Sequence, residues 1–86
     1  MTMRATWWII RRYWIEETEN DWAWAHDDRE YLNEYKAREI FNIHKPNKDY
    51  PVRRLYKVVQ TVVDGRPLDE DLIVIDEKTF WEKKNV

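Results

Sequence analysis

Neither cysteine nor serine occurs among the 86 residues, and glycine occurs once. Without cysteine there is no disulfide framework, no thiolate metal site and no thiol nucleophile. With serine also missing, and five threonines in no recognisable activating setting, nucleophilic catalysis has no candidate. A single glycine excludes the phosphate-cradling loops, which need several. No apolar run approaches the ~18 residues of a membrane-spanning helix. The most hydrophobic N-terminal stretch is interrupted by Arg11 and Arg12, which also disqualifies it as a signal peptide. His26 and His44 are not at helical ligand spacing, so no metal and no cofactor are expected. The expected setting is the cytoplasm, with no membrane partner.

What is abundant is aromatic surface: six Trp, five Tyr and two Phe. Each such side chain buries roughly 150–250 Å², so a few can build the core of one small domain. Residues 1–86 therefore read as a single domain, with a frayed tail from about residue 82 behind an aromatic latch at Phe80 and Trp81.

The net charge of −2 conceals segregated blocks. Residues 1–15 carry three arginines and no acid. Residues 16–34 hold eight acids against Arg29, and residues 35–57 hold seven bases against Glu39 and Asp49. Such blocks either complement one another within the fold or steer a charged partner. Arg11, Arg12, Arg53, Arg54 and Lys57 suggest a basic strip, but a pI near 5.7 and the acidic blocks argue against a long nucleic acid.

ATWWIIRRYWIEE reads as part of a long strand from about Arg4 to Glu17, yet with large aromatics on both faces: Trp7, Ile9, Arg11, Tyr13 and Ile15 on one, Trp8, Ile10, Arg12 and Trp14 on the other. A turn at Thr18–Asp21 leads to WAWAH, whose strict alternation predicts a second strand in a hairpin. A helix is predicted over 34–45, capped by Asn33, with Ala37, Ile40, Phe41 and His44 on one stripe. An earlier start, capped by Asp27 or Asp28, is the alternative. Pro46 ends it. Val52–Val63 is β-branched and predicts a central strand. Asp64-Gly65 is a turn, residues 66–71 a charged connection, and Leu72–Ile75 a short buried strand. The fold class is α+β, in the order β-β-α-β-β, with one helix packed on one face of a small antiparallel sheet of about four strands.

One short helix shelters one sheet face at most. Trp7, Trp8, Arg11, Arg12, Trp14, Trp22 and Trp24 are accordingly the candidates for self-association, or for a Trp/Arg-lined pocket between subunits that holds a small nucleotide. Glu16, Glu17, Glu19, Asp21, Asp27 and Asp28 form an acidic candidate surface for a protein partner, or a guard against edge aggregation. Paired carboxylates such as Glu16/Glu17 or Asp69/Asp71 leave a small acid–base enzyme as a third reading.

In style, a short, Trp-rich, acidic, Ser- and Cys-free chain with RRYWIEETEND, YKAREIF and RRLYKVVQTVVDG resembles the small single-domain accessory proteins of bacteriophages. That resemblance implies a protein that acts stoichiometrically in the host cytoplasm against a defence system, by blocking a host protein or sequestering a signalling nucleotide. It transfers no residue roles. The expected function is a non-catalytic, self-associating inhibitor, with the nucleotide sponge as the alternative.

Overall fold

The β-branched and aromatic runs fold as strands, and all four pair antiparallel in one sheet. The computed structural model describes residues 1–81. Its elements are β1 (Thr2–Glu17), β2 (Trp22–Tyr31), α1 (Glu34–Ile43), β3 (Val52–Val63) and β4 (Arg66–Thr79). The spatial order is β2-β1-β3-β4, so β3 is central, as its composition predicts. The predicted tail from residue 82 lies outside the described residues.

Three boundaries differ from the sequence expectation. The second strand does not stop at His26 but runs to Tyr31, so residues 28–31 are strand and no helix starts there. The helix ends at Ile43, before the expected Lys45. The charged segment 66–71 is strand, continuous with Leu72–Ile75, and β4 is long and exposed where a short buried strand was predicted. It is an edge strand, and both of its faces tolerate charge because both meet water.

Local chemistry sets the helix. Asn33 caps it, its side-chain oxygen accepting from the Lys36 amide at 3.1 Å. Ala37 and Phe41 are fully buried and pack with Ile10 and Leu55, while Trp8, Tyr31, Ile40 and Ile75 close around them. No base lies in the helix's own last turn. The sheet supplies cations instead: Lys78 Nζ donates to Asn42 Oδ1 at 3.1 Å and approaches the Phe41 carbonyl, and Arg53 Nη1 donates to the His44 carbonyl. Positive charge there complements the helix dipole.

Size sets the exposure. Ten helical residues span about 15 Å, whereas the 16 residues of β1 reach about 53 Å. The molecule is accordingly thin and long, 56 × 34 × 21 Å. The strands are also staggered. Beyond Tyr13, which pairs with Val52, β1 and β2 continue as a two-stranded ribbon, Trp14–Glu17 against Trp22–Ala25, with no third strand beside them among the described residues.

Candidate functional site

Register decides which predicted residues meet. Arg11 lies opposite Asp28 on β2 and Arg54 on β3, and Arg54 lies opposite Glu77 on β4. These four residues form one row across the helix-free face. Arg11 makes two bonds to Asp28, at 2.7 and 3.0 Å, and Arg54 Nε donates to Glu77. The Asp28 carboxylate raises the proton affinity of Arg11, and bonds to Tyr56 and Glu77 do the same for Arg54. Tyr13 and Tyr56 hydroxyls meet at 2.9 Å beside them.

The next row, on the helix face, differs in charge. Arg12 makes two bonds to Asp27, at 2.7 and 2.8 Å, and its guanidinium stacks 4.1 Å from the Tyr50 ring centre. Bonding to Arg12 holds the Asp27 carboxyl below its ordinary range. Opposite Arg12 stands Arg53, and opposite Arg53 on β4 stands Lys78. Tyr50 is fixed by an Asn turn: Asn47 Oδ1 accepts from the amides of Asp49 and Tyr50, both at 2.9 Å. The same ring meets Trp14 edge-on, centroids 5.7 Å apart.

The predicted aromatics are thus divided between faces. Trp8 and Trp14 lie on the helix face, half-buried under α1 and the 44–51 loop. Trp7 lies on the other face and packs over Ile9, Tyr56 and Val58. Only Trp22 and Trp24 of the predicted set remain widely open, 59% and 45% exposed, and the register places them beside Glu17 and Ile15 on the unbacked ribbon.

The predicted acids are divided too. Asp27 and Asp28 are consumed by Arg12 and Arg11 within the sheet. Glu16, Glu17, Glu19 and Asp21 cluster at the ribbon tip, and among the described residues none has a Lys or Arg within ion-pair distance. The turn is held by Thr18, whose amide and hydroxyl both donate to the Asp21 carbonyl, at 2.7 and 3.0 Å. Glu16 accepts from Trp14 Nε1 at 3.2 Å. His26 lies beside Tyr13, and His44, expected at the core edge on the helix stripe, instead caps the helix C-terminus and is exposed.

Sequence reading missed one concavity. Between the helix C-terminus, β2 and the 44–51 loop lies a cleft of about 290 Å³, lined by Arg12, Arg29, Lys45 and Arg53 with Tyr31 and Tyr50. The doubled arginines of β1 and β3 were the available signal, since antiparallel pairing can set Arg12 beside Arg53 with acids for only some of them. Among the described residues no helix is long and apolar enough to cross a membrane. Comparison with protein-family models, curated proteins and solved structures finds no match to this chain.

Proposed function

We propose that the protein is a non-catalytic binding protein whose β1–β2 ribbon engages a basic groove on a protein partner. The observation that supports this is the ribbon tip, where Trp22, Trp24 and Ile15 are exposed beside four acids that have no Lys or Arg within ion-pair distance among the described residues. A two-stranded ribbon is marginal alone and gains from a cover. Aromatic anchors within a charged rim are the composition of an interface centre, and acidic groups speed encounter with a basic surface. The resemblance to phage accessory proteins suits a stoichiometric inhibitor of a host defence protein in the host cytoplasm.

Self-association is a second reading, favoured by a separate apolar strip on the helix-free face, where Leu72 and Val74 stay exposed and Leu72 shares a row with Val58 and Trp7. A nucleotide sponge built on Arg11 and Arg12 has less support, because both guanidiniums are already bound by two carboxylate contacts each.

The test is capture from host lysate by three immobilised proteins: wild type, Glu16→Lys/Glu17→Lys/Glu19→Lys, and Trp22→Ala/Trp24→Ala. A protein retained by wild type, lost from both variants and released by added salt is the expected result. Identical capture by all three would remove the ribbon as the binding surface.

A further inference from the structure

Two adjacent rows of the sheet have the same plan and different charge. On the helix-free face the row reads Asp28, Arg11, Arg54, Glu77, two acids for two bases. On the helix face the next row reads Asp27, Arg12, Arg53, Lys78, one acid for three bases. Of that row Asp27, Arg12 and Arg53 line the cleft, whereas Lys78 turns to Asn42, and Arg29 and Lys45, neither ion-paired among the described residues, add positive charge to the cleft from β2 and the loop.

Arg53 is the informative member. It is only 8% exposed, its guanidinium packs against Phe41, and its one hydrogen-bond acceptor among the described residues is the His44 carbonyl. A buried guanidinium without a carboxylate is costly, and burial pulls its proton affinity down. Elsewhere the sheet avoids that cost: Arg11, Arg12 and Arg54 each have an acid. Core packing alone does not require a cation at this position, since Leu55 and Ile10 show that the helix face accepts aliphatics.

We infer that the cleft is a binding site for a small organic phosphate, its dianionic group held by Arg53, Arg29 and Lys45. Arg12, held to Asp27 and stacked on Tyr50, forms a fixed wall and adds field. Guanidinium forks match phosphate oxygens, and a concave, partly apolar setting strengthens each contact over its value in open water. Ile10, Ile40 and Tyr31 offer apolar surface to the organic part, and the volume sits at the small end of ligand sites. The site needs no second copy of the chain and does not depend on the ribbon.

Calorimetric titration with inorganic phosphate, ribose 5-phosphate, adenosine monophosphate and adenosine tests this. The three phosphates bind and adenosine does not; a tighter sugar phosphate or nucleotide than inorganic phosphate assigns the organic part to the cleft. In Arg29→Glu/Lys45→Glu, both surface positions, the dissociation constants rise at least tenfold, and in Arg53→Met binding is lost. Should Arg53→Met fail to fold, the surface pair decides. Arg11→Ala, on the opposite face, leaves binding unchanged. Absence of phosphate binding at millimolar concentration, binding indifferent to Arg29→Glu/Lys45→Glu, or adenosine binding as well as its monophosphate would overturn the inference. Charge reversal at the ribbon tip leaves phosphate binding intact, so this result and partner capture fail independently.

Discussion

Arg11 and Arg54 face each other directly across β1 and β3 on the helix-free face. Each is pulled outward by an acid on the neighbouring edge strand, Asp28 or Glu77. Each also lies over a tyrosine, Arg11 over Tyr56 at 5.3 Å and Arg54 over Tyr13 at 5.2 Å. Like charges directly opposite in a sheet are destabilising. The outer acids and the π faces make the pairing tolerable, and with Arg11 over Tyr56 and Trp7 packed on the same cluster, Ile9 and Tyr56 are buried on the helix-free face.

Removing one outer acid should therefore expose the repulsion. Asp28→Asn keeps the shape but leaves Arg11 beside Arg54 without its counter-ion, in a pair only partly exposed. A loss of about 1 kcal/mol is expected in urea unfolding. Asp28→Asn combined with Arg11→Met should recover part of it, because the unpaired charge is gone. A double variant no more stable than Asp28→Asn would mean the row is not energetically linked.

The Asp27–Arg12 pair gives a pH dependence of definite sign. Its folded carboxyl is depressed by Arg12, so the pair stabilises the fold above the unfolded value of about 4 and that contribution fades as pH falls through the lower folded value. Melting temperatures of wild type and Asp27→Asn should differ at pH 7 and converge in acid. A gap that persists unchanged to pH 2 would assign the difference to shape and not to charge.

The helix docks through one ring. Phe41 is 1% exposed and touches Ile10, Ala37 and Leu55 in a core of few residues. Phe41→Ala should cost about 3–5 kcal/mol, close to the whole stability of a domain this size. Asn33→Ala, which removes only the cap, should cost about 1 kcal/mol. Circular dichroism under urea separates them: the first variant is largely unfolded at 25 °C, the second folded with a lower midpoint.

Much of this was legible beforehand, and for local reasons. The β-branched run 52–63, the Asp64-Gly65 turn and the stripe carrying Ala37 and Phe41 each signal their structure within a few residues. Asp64 and Gly65 both have positive φ, as the tight hairpin demands. Asp27-Asp28-Arg29-Glu30 misled because it has the composition of a helix start, and only the register shows a partner for each aspartate on β1. Segment 66–71 looked like a loop because an edge strand need not alternate. The cleft depended on how the 44–51 loop folds back, and a one-dimensional pattern does not carry that.

That same edge offers the last prediction. Leu72, Ile73 and Val74 are exposed on β4, a strand whose outer side has no strand neighbour among the described residues, which is the profile of a strand prone to pair with its own copy. Its flanks oppose that outcome. An antiparallel pairing of two copies centred on Ile73 would set Asp71 against the Ile75–Asp76 bulge and, beyond it, Glu70 against Glu77, twice over, and the same bulge bends the strand there. Glu70→Lys/Asp71→Lys converts those four repulsions into four attractions without touching the core. This variant should form a salt-sensitive dimer by light scattering, with amide exchange slowed along residues 70–77. A variant with the same mass distribution as wild type would show that the flanking acids are not what keeps the edge unpaired.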